Sequence, residues 1–286
     1  MLSIADVTYI NSRVTSVEQD WFVLQSILGE AALFREHLYF FDGSTLSMSD
    51  RRFNENACTV AAVAELLQRY QPFRIDIILA SDLDLRFLCE LGMVPDYRSE
   101  SVSENWELIL RYSDAALRQF QRRVLETDRR NTGIVCRLRP KGPLTLQHYR
   151  LIGAHAAALK DSLGTFDRKS LETVPDILAN SDWGITIDAH QDGKLVGFAQ
   201  GHCRYAPQLA IFQFCVMSHG IRYLCDHLYA EFLRDIRARQ VRACTLGMTI
   251  RRGLFEYKAK WGGCALTGPY RQEIWCRADP NVPQFR

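Results

Sequence analysis

Towards its C-terminal end the sequence places a lysine among aromatic residues at close spacing. The segment Tyr257–Gly263 carries Lys258 and Lys260, with Trp261 ahead of two glycines. A cation held beside an aromatic ring can stabilise the negative charge that develops on a carbonyl oxygen during acyl transfer. A lysine near the end of a short helix can also neutralise the helix carbonyl groups. The segment therefore indicates either acyl transfer, with Lys258 as the charge-stabilising residue, or a helix end.

Three further residues are candidates for a catalytic general base. His202 and Asp188 lie on predicted strands, and His219 lies at the entrance to a predicted helix. Each of them also suits a structural role, because an amine acceptor can lose its proton to the substrate or to water. No group of His, Cys, Asp and Glu residues has the spacing of metal ligands, so the sequence predicts no metal site.

The turn at 216–223 lies between a predicted strand and a predicted helix, where a phosphate group would bind. A pyrophosphate cradle needs several small residues there, because backbone N–H groups must approach the phosphates closely. This turn has one glycine, Gly220, and the bulky Arg222 soon follows it. We therefore expect no coenzyme A in the usual pose, and acetyl-CoA is the less favoured donor. Gly220 and Arg222 are candidates for binding substrate or a small anion, and a plain strand-to-helix turn is the alternative.

The segment Tyr257–Gly263 resembles the closing signature of the Fem-like branch of the GNAT superfamily. That signature runs aromatic-Lys-x-Lys/Arg-aromatic-Gly-Gly, and tyrosine stands here where phenylalanine is commoner. The branch includes transferases that move an amino acid from aminoacyl-tRNA onto an amine, with tRNA as co-substrate and no cofactor. The resemblance implies that Lys258 contacts the aminoacylated end and that Tyr257 packs against the terminal adenosine or the substrate. Trp261 and Lys260 are further candidates for substrate binding, with Lys260 at the rim of the site.

Residues 111–141 are rich in arginine. Leu117, Phe120 and Val124 mark the apolar face of a predicted helix, and arginines occupy its other face. Fem-like proteins have a similar helix at the start of their second domain. The resemblance implies a surface for tRNA, and a solvated helix face is the alternative. The residues assigned to tRNA binding are Arg122, Arg123, Arg129, Arg130, Arg251 and Arg252.

The predicted elements from residue 134 onward follow the order β-α-α-β-β-β-α-β-α-β, which is that of a GNAT domain. They include a short helix with Ser170 as its N-cap. The preceding part begins with a predicted helix at 21–34 and resembles a degenerate version of the same order. We therefore predict an α/β (α+β) protein of tandem GNAT-like domains, each a mixed, mostly antiparallel sheet flanked by helices. The expected domains are 1–113 and 114–286.

Composition and charge are consistent with a globular protein that meets a polyanion. Of 286 residues, 47% are hydrophobic and 24% are charged. Residues 1–110 hold 8 lysines and arginines against 17 acidic residues, whereas residues 111–286 hold 27 against 16. The basic part can face nucleic acid, or the two parts can simply attract each other.

Cysteine usage and hydropathy indicate a cellular location. The nine cysteines lie mostly in apolar runs and lack the spacing of metal sites, which predicts buried free thiols in a reducing compartment. The N-terminus has no signal-peptide pattern, and no apolar run approaches the length of a membrane span. We therefore expect a cytoplasmic protein without a membrane partner.

Three functions are compatible with these patterns. The leading hypothesis is an aminoacyl-tRNA-dependent transferase that forms an amide bond with an amine of a small peptide, a glycan precursor or an antibiotic intermediate. The chain has no paired heptads for a coiled-coil arm, which favours a small acceptor. The second hypothesis is an acyl-CoA-dependent N-acyltransferase of the same fold, and the missing glycines count against it. The third is a non-catalytic GNAT-like binding module.

Overall fold

The computed structural model describes residues 29–35, 37–50, 56–79, 84–96, 106–111, 114–130, 132–158, 165–203, 209–249, 252–265 and 271–278. The chain divides into two compact units. The first unit comprises Met1–Trp106, Thr249–Arg251 and Thr267–Arg286, and the second comprises Glu107–Met248 and Arg252–Leu266.

A six-stranded sheet forms the first unit. Its elements are β1 (Glu30–Phe34), β2 (His37–Phe41), β3 (Thr45–Asp50), α1 (Asn56–Tyr70), β4 (Arg74–Leu79), α2 (Phe87–Glu90), β5 (Met93–Pro95) and β13 (Arg271–Arg277). The strand order is β1-β2-β3-β4-β13-β5, and β3 and β4 form a parallel pair among antiparallel neighbours. Helix α1 connects the parallel strands and buries Val63 and Leu66 in the same core as Ile75 and Ile77.

A seven-stranded sheet forms the second unit. Its elements are β6 (Trp106–Arg111), α3 (Asp114–Asp128), β7 (Ile134–Leu138), α4 (Leu146–Ala158), α5 (Thr165–Asn180), β8 (Gly184–Gln191), β9 (Lys194–His202), β10 (Leu209–Met217), α6 (Leu224–Ala238), β11 (Ala243–Thr249), α7 (Arg252–Lys260) and β12 (Cys264–Ala265). The strand order is β12-β6-β11-β10-β9-β8-β7. Strands β7 to β10 are antiparallel, whereas β10 and β11 are parallel.

Local sequence explains the elements that surround the later site. Asp192 and Gly193 both have positive φ, which is the two-residue turn that matches the twist of the β8–β9 hairpin. Helix α6 buries Leu228, Phe232 and Ile236 at a spacing of four residues, and all three are 0% exposed. This apolar stripe fixes α6 against the sheet and thereby positions the first turn of the helix at the end of β10.

Two strands exchange between the halves of the chain. Strand β13 lies between β4 and β5 of the first sheet, and β6 lies between β11 and β12 of the second sheet. The compact units therefore differ from the expected division into 1–113 and 114–286. Strand pairing over long sequence separation determines this arrangement, and local patterns do not report such pairing.

Several local expectations need correction. Residues 30–34 of the expected helix at 21–34 form β1, because this segment pairs with β2 residue by residue, while residues 21–28 lie outside the described residues. Helix α5 begins at Thr165, so the buried Ser170 is an interior residue instead of an N-cap. Cys89 and Cys264 are exposed, unlike the buried Cys244. The fold class itself is confirmed: two mixed, mostly antiparallel sheets are flanked by helices.

Candidate functional site

The two parallel strands of the second sheet separate along their length. Strand β10 pairs with β11 from Leu209 with Ala243 to Ile211 with Thr245, and the pairing ends there although β10 continues to Met217. The far half of each strand thus has no register partner in its parallel neighbour. This opening leaves backbone groups without a ladder partner on the neighbouring strand, which suits the binding of an extended acyl donor.

A cavity of about 350 Å³ lies at the far end of β10 and the start of α6. The sheet, α4 and α6 contribute to its walls, because the two helices pack against β9 and β10, and α7 adds the side chain of Tyr257. The residues in its wall that can do polar chemistry are His155, Ser218, His219, Tyr223, Cys225, Asp226 and Tyr257. The cavity is the candidate functional site of the protein.

Asp226, in the first turn of α6, organises one wall. Its carboxylate contacts the Arg130 guanidinium, accepts a hydrogen bond from the Tyr257 hydroxyl at 3.0 Å and lies 3.6 Å from Arg123. A buried carboxylate needs such partners, since an unpaired one would cost several kcal/mol. Burial, followed by the nearby Cys225 and the negative charge of Asp226, raises the pKa of Tyr257, so its phenol stays a neutral hydrogen-bond donor.

Tyr223 occupies the N-cap position of α6. Its φ is 64°, and its side chain forms no capping hydrogen bond. The Arg130 and Arg222 guanidinium carbons lie 4.1 and 4.7 Å from the centre of its ring. Gly220 has a φ of 84°, and an added Cβ would meet nothing within 4 Å, so the turn conformation explains this glycine. An aromatic residue between arginines thus stands where a pyrophosphate cradle would have small residues.

Lys258 lies on α7 next to the separated half of β11. It is 1% exposed, and its Nζ donates a hydrogen bond to the Gly247 carbonyl oxygen at 2.8 Å. Gly247 has a φ of 74°, a conformation that favours glycine and that turns its carbonyl out of the regular strand. Lys258 does not line the cavity, whereas its neighbour Tyr257 does. Lys260 is exposed, and its backbone carbonyl accepts a hydrogen bond from Gln119.

Trp261 is a core residue. Its side chain is 0% exposed, with ring centroids of Tyr229 and Phe120 at 5.9 and 6.5 Å and the Arg123 guanidinium at 5.6 Å. Such an enclosed ring contacts a substrate only if the core opens. Its observed contacts therefore give Trp261 a packing role and correct the expectation that it binds the substrate.

Asp188 is committed to a buried network. Its carboxylate accepts from His148 Nε2 at 3.0 Å and from Arg139 at 3.3 Å. His148 Nδ1 faces the Thr145 hydroxyl at 2.7 Å, near the start of α4. This network connects α4 to β8 and lies outside the cavity wall. The structure thus gives Asp188 a positioning role for α4 and does not bring it to the candidate site.

The two predicted histidine bases lie in different surroundings. His202 is 1% exposed, and its ring meets the Trp183 ring edge-on at a centroid distance of 5.6 Å. His219 is exposed in the turn after β10 and lines the cavity. Of the three predicted bases, the structure therefore brings His219 to the candidate site, together with the predicted residues Gly220 and Tyr257.

Two cysteines lie next to the cavity. Cys215 on β10 and Cys225 on α6 have their sulfur atoms 3.9 Å apart. The hydrogen bond to Cys225, with burial, raises the pKa of the Cys215 thiol. Cys225 lines the cavity, and neither its sequence neighbours nor its spacing from other cysteines indicates this placement. The sequence likewise does not indicate that Asp226 lines the cavity, because an acidic residue in a first helical turn is common.

The arginines assigned to tRNA binding fall into different environments. Arg122 and Arg129 are exposed on or just after α3. Arg123 and Arg130 are largely buried and direct their guanidinium groups to Asp226. A helical pattern identifies the polar face of α3 but not a buried partner on another helix. The latter two arginines therefore build the cavity wall, and the former two remain available to a phosphate backbone.

A second, more open cavity of about 510 Å³ lies beside Arg129 and Arg130 at the end of α3. Arg234 lines it as well, and its guanidinium contacts Asp128 and Glu231. Positive and negative groups alternate in this cavity, so its local charge does not favour the binding of an anion. Of the remaining assigned residues, the side chain of Arg252 and all of Arg251 lie outside the described residues.

Comparison with known proteins identifies the fold. No protein-family model matches the chain, and no curated protein matches it. Solved structures match over nearly the whole length. FemX has a TM-score of 0.56 at 10% identity and covers 96% of this chain and 96% of its own. The fold is a tandem GNAT fold of the Fem-like kind.

Two other solved structures support this assignment. L-PGS from Bacillus licheniformis has a TM-score of 0.52 at 12% identity and covers 99% of this chain and 93% of its own. The tandem GNAT protein from the clavulanic acid biosynthesis pathway has a TM-score of 0.53 at 11% identity, with coverage of 94% and 98%. At such low identity, the similarity establishes the tandem GNAT fold alone.

Within the described part of this tandem GNAT fold, no three His, Cys, Asp or Glu side chains are grouped to hold a metal ion. Among the helices described, none is both long and apolar enough to cross a membrane.

Proposed function

We propose that this protein transfers an aminoacyl group from the 3′ ester of a tRNA to the amine of a small acceptor. The acceptor amine attacks the ester carbonyl carbon, an amide bond forms, and the ribose oxygen departs. The acceptor belongs to a peptide-like molecule, a glycan precursor or an antibiotic intermediate. The folds of FemX and L-PGS, which match this chain, are consistent with this reaction class.

The observation that carries the proposal is the composition of the α6 N-terminus. Coenzyme A requires close approach of its pyrophosphate to bare backbone N–H groups. Here Tyr223 is the cap residue, and Arg130 and Arg222 lie against its ring. The opening between β10 and β11 thus ends in an aromatic and cationic surface. A terminal adenosine with its single phosphates suits such a surface, because rings stack on aromatic and guanidinium groups.

In this proposal Tyr257 contributes a wall of the acceptor or aminoacyl pocket, while Lys258 supplies positive charge near the reacting ester. The exposed Arg122 and Arg129 contact the tRNA backbone outside the pocket. The protein acts in the cytoplasm, where charged tRNA is available, and needs no cofactor or metal ion.

A labelled screen tests the proposal. The wild-type protein is incubated with a full set of radiolabelled aminoacyl-tRNAs and with glycinamide, a dipeptide or glucosamine as the amine probe. We expect label from one or a few tRNAs to move into an amide that resists mild base. The absence of transfer to every probe, with parallel turnover of acetyl-CoA, would replace this function by the second candidate.

That second candidate is acyl-CoA-dependent N-acyl transfer. It is favoured by the similarity to the tandem GNAT protein of the clavulanic acid pathway, whose structure was solved without AcCoA. Calorimetry separates the two candidates, since the proposed function requires weak or undetectable acetyl-CoA binding.

A further inference from the structure

Two histidines face each other at the edge of the cavity. His155 on α4 and His219 in the turn after β10 have ring centroids 6.2 Å apart, with planes inclined by 14°. Both line the cavity together with Tyr257 and Asp226. The sequence pattern of α4 gives His155 no role beyond helix packing, so the pairing is visible only in the structure.

The two ring nitrogens of His155 have different surroundings. Its Nδ1 is buried without a hydrogen-bond partner in the part of the chain that the structure describes. Its Nε2 is not among the buried atoms that lack a partner, and the ring borders the cavity. A histidine that serves packing alone usually satisfies a buried nitrogen through a hydrogen bond. The ring is therefore poised for a partner that arrives with a substrate.

The surroundings of His155 keep it neutral. Burial lowers the pKa of His155, and the positive charge of protonated His219 lowers it further. The other titratable groups lining the cavity are Tyr223 at the N-cap of α6, Cys225 and Asp226 on α6, and Tyr257 on α7. Arg123 and Arg130 compensate the Asp226 charge, and Tyr257 is a neutral phenol. Near neutral pH, His155 is thus a free base.

Aminoacyl transfer at neutral pH is accelerated by such a base. An alkyl amine titrates near ~10, so an acceptor is almost entirely an ammonium ion at neutral pH. The ammonium must lose one proton before its nitrogen attacks the ester carbonyl carbon. As the new C–N bond forms, the bond between that carbon and the ribose oxygen breaks. The nitrogen loses a second proton, and the ribose oxygen gains one.

On the basis of the proposed function, we propose that His155 accepts the proton of the acceptor amine and that His219 passes it to solvent. The ring of His155 borders the cavity in which the amine would lie, and His219 is the exposed member of the pair. One proton of the ammonium thus leaves through the pair, and the other goes to the ribose oxygen. The pair is the catalytic base of the site.

Single-turnover kinetics test this assignment. We use the charged tRNA and the amine probe that react in the labelled screen, with His155→Gln as the variant. We expect its transfer rate near pH 7 to fall about 100-fold, a typical contribution of general base catalysis. The wild-type rate should level off above the pKa of His155, whereas the variant should keep rising with pH as free amine accumulates. His190→Gln, on β8 outside the cavity wall, is the matched control.

A titration by NMR of labelled histidine side chains gives a readout that does not depend on turnover. Replacing His219 by glutamine should raise the pKa of His155, because a positive neighbour is removed. Imidazole should restore transfer in His155→Gly. If wild-type protein transfers label and His155→Gln matches its rate and pH profile, the base assignment is wrong and the proposed function stands. If wild-type protein transfers no label to any probe, the proposed function fails and the assignment fails with it. An unchanged pKa in His219→Gln would disprove the coupling of the pair.

Discussion

Lys258 Nζ donates a hydrogen bond to the carbonyl oxygen of Gly247 at a distance of 2.8 Å. This bond connects α7 to the half of β11 that has separated from β10. The lysine therefore combines two properties that an experiment can separate. It braces the strand at the edge of the opening, and it carries a positive charge in a buried region, a charge to which the proposed function assigns the stabilisation of the reacting ester.

Replacing Lys258 by methionine separates these properties, because the side chain keeps its length and loses its charge. We expect the single-turnover transfer rate to fall by about 100-fold, as when one oxyanion-stabilising donor is lost. The unfolding free energy should fall by roughly 1–3 kcal/mol, since the Gly247 carbonyl loses its partner. Lys260→Met, at an exposed position of the same helix, is the control. A folded Lys258→Met variant with wild-type transfer would leave only the bracing role.

Tyr257→Phe tests the Asp226 network. The sequence alone predicts a nearly silent change, because phenylalanine is the commoner residue in the resembling signature. The structure changes that expectation, since the Tyr257 hydroxyl donates to the Asp226 carboxylate at 3.0 Å. Loss of a hydrogen bond to a charged group should lower the unfolding free energy by about 1.5–3 kcal/mol in urea titration. Tyr149→Phe on α4 also removes a hydrogen bond to a carboxylate, that of Asp176, but at an exposed position, so it should change the unfolding free energy far less. Equal effects of the two variants would argue against the network.

Charge reversal of Arg122 and Arg129 together tests the tRNA surface. Both side chains are exposed, so the double variant to glutamate should fold normally and bind tRNA more weakly. When the logarithm of the binding constant is plotted against the logarithm of the salt concentration, the slope for this variant should be shallower by about one to two, because fewer phosphates are neutralised. Filter binding across a salt series measures this slope. Arg86→Glu, an exposed reversal on the first unit, is the control. If tRNA binding changes neither with salt nor in the double variant, the proposed binding of a polyanion is wrong.

Acid should destabilise the protein through its partly buried histidines. Burial lowers the pKa of His155 and of His227 below the ordinary value of 6.5. Because the unfolded chain then binds these protons more readily, their contribution is complete above about pH 6.5 and is lost as the pH falls further. Urea unfolding between about pH 7.5 and about pH 5.5 should show this loss, and His155→Gln should show a smaller one. An identical pH dependence in the variant would contradict the lowered pKa.

Much of the second unit was predictable because its patterns are local. The strand predicted at 194–202 after the hairpin turn and the apolar run at 209–217 correspond to β9 and β10 as bounded in the structure. The spacing of Leu228, Phe232 and Ile236 identifies the buried face of α6. Each of these signals depends on neighbours within one element, which a sequence displays directly.

The site was less predictable because its members meet across elements. Arg123 and Arg130 looked like surface arginines, and their buried partner Asp226 lies about one hundred residues further along the chain. Nothing in the sequence of α4 indicates the approach of His219 to His155. The predicted roles of Lys258, Tyr257 and His219 remain to be tested by the variants above.

The exchanged strands have a consequence for how the protein is made. Strand β5 has its sheet partner in β13, which is synthesised long after β5 itself. Until residues 271–277 leave the ribosome, β4 presents an unpaired edge and β5 has no place in the sheet. The first sheet therefore cannot be completed during translation of its own segment. Until the second half has been made, its open edge must be protected from pairing with other strands, either by rapid completion of the chain or by a chaperone.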